Sequence, residues 1–213
     1  MHIACFDLEG VLVPEIWIGL ATRTGIDALR ATTRDIADYD ELMGLRLGLL
    51  REHGLNARDL KSVVGDLRPL EGAREFLDWV RTRCQVAILS DTFYELAGPL
   101  MAQLGHPMLL CHRLEVADDG AIAGYALRQR DAKRRAVEAF QQLNFKTVAV
   151  GDSYNDTAML AQAETGVLFR PPDNVMREFP AYPVCREYAE LKEIFINVLD
   201  VREAPEPAIG LTG

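Results

Sequence analysis

Ile3-Ala4-Cys5-Phe6-Asp7-Leu8-Glu9-Gly10-Val11 decides how this chain is read: an apolar run of strand length ends at a carboxylate, and a second carboxylate follows two positions later. A short, continuously apolar run bounded by polar residues is the pattern of a strand buried on both faces, as in a parallel sheet. Two other runs share the design, Val86 to Leu89 before Ser90 and Val148 to Gly151 before Asp152. If the three strands are parallel, Asp7, Ser90 and Asp152 all fall on one edge of the sheet. That edge is where ligands bind in open α/β folds.

Amphipathic segments of helical length separate these runs: Gly72 to Arg83, Tyr94 to Leu104, Ala132 to Leu143, Asp156 to Ala163, and one near Tyr188 to Leu199. Alternation of strand and helix predicts an α/β fold with a doubly wound, mostly parallel sheet and right-handed crossovers. Arg113 to Val116 and Ala121 to Tyr125 flank Asp118-Asp119-Gly120, a hairpin pattern that breaks the parallel order once. From about Ile16 to Val64 there is no strand signal, and Leu42, Leu45, Leu49 and Leu50 recur at helical spacing. The expected division is an α/β core of residues 1–14 and 70–200, with a small helical cap of residues 15–69 inserted after the first strand. An insertion there sits over the catalytic edge, so a lid is its expected role, the alternative being helices that merely extend the core. Pro205, Pro207 and Gly210 mark residues 201–213 as a disordered tail.

The 213 residues suffice for one core with an appendage, and about half of them are hydrophobic. A formal charge of -9 argues against nucleic acid or an anionic membrane as partner, because phosphate backbones are bound by clustered Lys and Arg. Cys5, Cys84, Cys111 and Cys185 are far apart, with no C-x-x-C and no secretory leader, which fits core thiols in a reducing cytoplasm. No apolar run is long enough to span a bilayer. The expectation is a cytoplasmic protein acting on a small molecule, with its oligomeric state open.

Four elements carry chemistry. Asp7-x-Glu9 places two acids at a strand end; alone, that pattern is an ordinary solvated turn. Ser90, before Asp91-Thr92-Phe93, offers a hydroxyl and free N–H groups at a predicted helix start, a phosphate-binding arrangement or simply a cap. Lys133-Arg134-Arg135 opens another helix, where cations are slightly unfavourable; one of the three is a candidate functional cation, unless the run is a solvated face. Gly151-Asp152-Ser153-Tyr154-Asn155-Asp156 puts two acids in a loop after a buried strand, with spacing suited to a hard cation.

In this order the four elements resemble the motifs of the haloacid dehalogenase superfamily: D-x-D-x-[TV], a Ser or Thr after a strand, a Lys, and G-D-x-x-x-D. Within it, the helical insertion resembles that of the phosphoserine phosphatases. Leu12-Val13-Pro14-Glu15 looks like the start of their lid, whose Glu faces the substrate ammonium, and Arg46 looks like the lid Arg that pairs with the substrate carboxylate. Without that frame Glu15 reads as a helix-start acid and Arg46 as a surface cation. Glu9 where Asp is typical, Gly10-Val11 in place of Ser-Thr, and Asp91-Thr92 in place of Gly-Gly resemble the bifunctional ThrH-type enzymes, which also pass the phosphoryl group to homoserine.

The resemblance implies the following roles. Asp7 is the nucleophile that forms an aspartyl-phosphate, and Glu9 is the general acid and base. Mg²⁺ is held by Asp7, the backbone carbonyl of Glu9 and Asp152. Glu15, Arg46, Ser90, Asp91, Lys133 and Asn155 bind substrate, and Asp156 supports them. Glu9 together with the bare Gly10 is expected to leave room for an alcohol acceptor beside water. The nearest alternative is a phosphatase of the same superfamily acting on another small phosphomonoester. A receiver-like module that keeps an aspartyl-phosphate as a signal is a different class; its acceptor Asp stands on a later strand, after an acidic pair, and it has no lid.

Overall fold

Residues 1–32, 35, 36 and 38–200 are described by a computed structural model. The predicted tail, 201–213, lies outside the described residues. Seven strands form one sheet: β1 (His2–Phe6), β2 (Gln85–Phe93), β3 (Met108–Val116), β4 (Ile122–Ala126), β5 (Lys146–Gly151), β6 (Thr165–Phe169) and β7 (Val184–Cys185). Their spatial order is β4-β3-β2-β1-β5-β6-β7, and every pairing is parallel except the antiparallel β3–β4. That exception is the predicted hairpin, turning at Gly120 with φ of 89°.

Strand periodicity explains why the runs are continuously apolar. Ala4, Phe6, Ile88, Val148, Val150, Val167 and Phe169 belong to one buried cluster, while Ile3, Cys5, Ala87, Leu89, Ala149 and Leu168 belong to another. Successive residues alternate between the faces of the sheet, and both faces are covered by helices, so neither register can tolerate polarity. One layer contains α4 (Ala73–Arg81) and α9 (Tyr188–Leu199); the other contains α6 (Ala132–Gln142) and α7 (Thr157–Gln162). Also present are α5 (Tyr94–Gln103) and α8 (Asp173–Glu178). Among the described residues no helix is long and apolar enough to cross a membrane, and all four cysteines are free thiols.

Between β1 and β2 stand α1 (Ile16–Thr24), a short 3₁₀ turn at Asp27–Arg30, α2 (Tyr39–Glu52) and α3 (Ala57–Asp66). Helix α2 buries Leu42, Met43, Arg46 and Leu50. Leu45, expected on its apolar face, is instead 38 % exposed. The buried stripe runs 42, 43, 46, 50, so a cation occupies a core position, and Arg46 is no surface residue. Inserted helices and core also touch directly, as where Ala57 N donates to Gly120 O at 3.0 Å.

A further local expectation differs. Asp91-Thr92-Phe93 does not open a helix: β2 runs on to Phe93 and α5 begins at Tyr94. Thr92 and Phe93 favour extended backbone, and Phe93 is buried, with its ring 6.4 Å from that of Tyr125. The strand irregularity falls between Leu89 and Phe93, so Ser90 and Asp91 sit in it. Two strands, Thr165–Phe169 and Val184–Cys185, carry little signal of their own: the first begins Thr-Gly, which shortens its apolar run, and the second has only two residues.

Candidate active site

Register places the catalytic edge. Phe6 pairs with Ile88 on one side and Val150 on the other, and Asp7 N extends the ladder by donating to Val150 O at 2.9 Å. The residues just beyond these pairs, Asp7, Ser90 and Asp152, are all buried at that edge. Lys133 reaches the same point from the second position of α6. Its Nζ donates to Asp7 Oδ1 at 2.9 Å and Asp156 Oδ1 at 2.8 Å, and lies 3.6 Å from Asp91 Oδ2. Of the three consecutive cations only Lys133 is buried; Arg134 pairs with Asp131 near the surface. Burial disfavours the Lys133 charge, but Asp156, Asp7 and Asp91 outweigh it and hold the ammonium protonated well above its ordinary range. Asp7 is pushed the other way, well above the usual carboxylate range, by burial and then by the neighbouring Asp156 carboxylate, against the pull of Lys133.

Asp156 is fully enclosed and fully used. Its Oδ1 takes Lys133, and its Oδ2 accepts the backbone N–H groups of Asp152 at 2.9 Å and Ser153 at 3.2 Å. It therefore shapes the loop and aims Lys133 from beneath. Asp91 is similarly engaged: Asn155 Nδ2 donates to its Oδ2 at 2.9 Å, and His112 Nε2 lies 3.3 Å from its Oδ1. His112 Nδ1 accepts from Arg128 N at 3.1 Å, which leaves its proton on Nε2, facing Asp91. Burial opposes the Asp91 charge, yet Lys133, His112 and Asn155 hold this carboxyl below the usual range. Ser90 Oγ accepts from Thr92 N at 3.1 Å, a turn inside the strand end, so the plainer alternative of a helix cap does not hold.

The inserted helices supply the other wall. Asp7, Glu9, Glu15, Arg46, Ser90, Asp91, Lys133, Asp152 and Asn155 line one cavity, with Asp156 just behind them. Glu9 Oε2 accepts from Ile16 N at 2.8 Å, at the start of α1, where helix N–H groups favour an acceptor. Burial and the nearby Glu15 push the Glu9 carboxyl up to about 8. Arg46 donates through Nη2 to Ala31 O at 3.0 Å, and its buried Nε finds no acceptor. Trp17, Thr32, Tyr39, Leu42 and Ser153 complete the lining. None of these five, nor His112, is assigned to the site by the sequence, although Leu42 and Ser153 lie within patterns noted there. They are ordinary helix, loop and strand residues until the fold brings them together.

A divalent cation, implied by the motif resemblance, fits the residues present. Carboxylate oxygens of Asp7, Asp152 and Asp156 all lie within 4.8 Å of one another, an all-oxygen set suited to a hard ion. Asp7, Asp91 and Asp156 all lie within 3.6 Å of the single ammonium of Lys133, and Asp152 adds a fourth carboxylate beside Asp7 and Asp156, a deficit of positive charge. Because Asp156 is committed to Lys133 and to its own loop, Asp7 and Asp152 are the side chains that would hold such an ion. Gly10 makes this approach possible. Its φ is +79°, and a Cβ there would lie 2.5 Å from Asp152 Oδ2. The position that a Gly10 Cβ would take is thus occupied by the Asp152 carboxylate.

A profile of the haloacid dehalogenase-like hydrolases matches residues 1–164. The chain is 60% identical over 197 residues to phosphoserine phosphatase ThrH of Pseudomonas aeruginosa, covering 92% of this chain and 96% of that one. It is 59% identical over 197 residues to a phosphoserine phosphatase of Pseudomonas syringae pv. tomato, covering 92% and 83%. Among solved structures it is similar to a phospho-aspartyl intermediate analogue of phosphoserine phosphatase, with a TM-score of 0.76 at 21% identity over 91% of this chain and 98% of that one. A substrate-bound phosphoserine phosphatase complex gives a TM-score of 0.76 at 20% identity, over 91% and 97%. At these identities the structural likeness shows the fold.

Gly10→Ala puts a Cβ against Asp152 and strains a left-handed backbone. Displacing a carboxylate that faces the ion is expected to weaken divalent-cation binding by about 10- to 100-fold, measured by titration calorimetry. Unchanged affinity contradicts the placement of Asp152.

Proposed function

The chain belongs to the haloacid dehalogenase-like hydrolases, and from that premise we propose that it is a phosphoserine phosphatase whose nucleophile is Asp7. The observation that carries the substrate is the wall opposite the nucleophile. Glu15 and Arg46 line the same cavity as Asp7, and Arg46 is a buried cation with no ion pair among the described residues. A zwitterionic amino acid brings one cation and one planar anion beyond its phosphate. Glu15 answers the ammonium, and the guanidinium answers the carboxylate. A phosphomonoester without a carboxylate leaves the Arg46 charge uncompensated.

In the first half-reaction, Asp7 Oδ2 attacks phosphorus, since Oδ1 is held by Lys133. The bond from phosphorus to the serine oxygen breaks, and that oxygen leaves with a proton from Glu9. In the second, an incoming hydroxyl loses its proton to Glu9 as its oxygen takes the phosphoryl group, restoring the Asp7 carboxylate. Two features suit Glu9 to both steps: it shares the cavity with Asp7, and it keeps a proton near neutral pH. Lys133, Ser90 and Asn155 hold phosphate oxygens, with Asn155 fixed through Asp91. The divalent ion is Mg²⁺ in this reading, held by Asp7, the Glu9 carbonyl and Asp152; when bound, it supplies charge neutralisation of the phosphate.

The cap of residues 15–69 is the specificity-bearing part, and the core carries the phosphoryl chemistry. Homoserine is proposed as a second acceptor, on the resemblance of the Asp7 to Val11 segment to the bifunctional enzymes. The net charge of -9 and the four free thiols suit a cytoplasmic enzyme of small molecules, with neither nucleic acid nor membrane as partner.

Arg46→Ala is expected to lower kcat/KM for O-phosphoserine by about 30-fold or more, since losing a charge-assisted pair in a closed site costs roughly 2–5 kcal/mol. Turnover of an aryl phosphate, measured in the same phosphate-release assay, should suffer far less. An equal loss for both substrates removes the support for an amino-acid substrate. The acceptor is tested by raising homoserine with phosphoserine as donor: O-phosphohomoserine should accumulate at the expense of free phosphate, and its absence at every concentration leaves a plain phosphatase.

A further inference from the structure

Trp17 is one of the cavity residues for which the reaction steps have no use. It stands two positions after Glu15 in the first turn of α1 and is 6 % exposed. The guanidinium carbon of Arg46 lies over its ring, 4.4 Å from the centroid. Other cations over aromatic rings, such as Arg83 and Lys192 on Trp79, belong to chain regions away from this cavity.

Arg46 needs such a partner. It has left water, burial weakens its hold on the proton, and its fixed contacts are few: the Ala31 carbonyl and a 4.0 Å approach of Nη1 to Met43 Sδ. The electron-rich face of an indole compensates part of this desolvation. Stacking also consumes only the face of the guanidinium. Carboxylates bind in its plane, along the fork of N–H groups, so ring and carboxylate do not compete.

We propose that Trp17 is a positioning residue that determines specificity: by stacking on Arg46 it presents the edge of the guanidinium to the carboxylate of an α-amino acid phosphate. Glu15 is the N-cap of α1 and Trp17 stands in its first turn, so a single helix end sets both the ammonium site and the orientation of the carboxylate site. This rests on the phosphoserine reading above, and the test separates the two.

The readout is discrimination, the ratio of kcat/KM for O-phosphoserine to that for O-phosphoethanolamine, which keeps the ammonium and lacks the carboxylate. Trp17→Leu is expected to lower this ratio about tenfold, chiefly through KM for phosphoserine, whereas Trp17→Phe, which keeps an aromatic face, should retain more of it. Equal losses on both substrates, or a ratio unchanged in Trp17→Leu, overturn the proposal. A wild-type enzyme that does not discriminate overturns the phosphoserine reading itself. Should Trp17→Leu fail to fold, fluorescence decides. The chain has two tryptophans, so in Trp79→Phe combined with Asp7→Asn, Trp17 is the sole emitter and turnover is blocked. O-Phosphoserine should change its emission well beyond any change with O-phosphoethanolamine, and identical responses contradict the role.

Discussion

The ammonium of Lys133, held between Asp7 at 2.9 Å and Asp156 at 2.8 Å, is the interaction on which the rest of the site depends. All three groups are buried, so each charge is tolerated only because the others are present. Removing one partner of such a cluster costs roughly 3–5 kcal/mol, because it strands the remaining charges in a poorly solvated place. Asp156 in turn gathers the N–H groups of Asp152 and Ser153, and Gly151 has no side chain because a Cβ would lie 2.3 Å from Asp156 Cβ. The loop is therefore packed around this carboxylate. Asp7 and Asp152 thus hold a common frame set by the neighbouring strands β1 and β5, into which Lys133 reaches from α6.

The core was legible because its chemistry follows directly on its strands. An apolar run that ends in Asp7, and another that ends in Gly151-Asp152, announce both a buried strand and the residue at its catalytic end. What was not legible depends on distance. Asp91 looked like part of a helix start, and only the extension of β2 to Phe93, with His112 arriving from β3, shows why it is an anchored carboxylate. Trp17 and Tyr39 look like common helix residues, and nothing local says which ring will lie under a guanidinium. One signal was present and unused. Position 46 falls on the apolar stripe of α2 with Leu42, Met43 and Leu50, so an Arg there is out of pattern unless something in the fold needs it.

The two halves of the site are joined by Glu9. The residue belongs to the loop after β1, yet its carboxyl receives the N–H of Ile16 at 2.8 Å, at the start of the first inserted helix. The longer Glu side chain spans from the core loop to that helix end. In the proposed reaction the phosphoryl chemistry rests on Asp7 and Asp152, just beyond strand ends, and on Lys133 at the start of α6, whereas the proposed recognition residues Glu15, Trp17 and Arg46 stand on or beside the inserted helices. That separation explains how one core serves many substrates: the insertion can change while the strand ends stay.

The central claim is that Asp7 carries the phosphoryl group in a covalent intermediate. The direct measurement is rapid acid quenching of the enzyme during turnover of O-phosphoserine, followed by peptide mass spectrometry and hydroxylamine treatment. The account predicts a hydroxylamine-sensitive phosphoryl group on the peptide that carries Asp7. Phosphate found on Ser90 or Ser153, or full turnover with no phosphorylated peptide at any quench time, contradicts it.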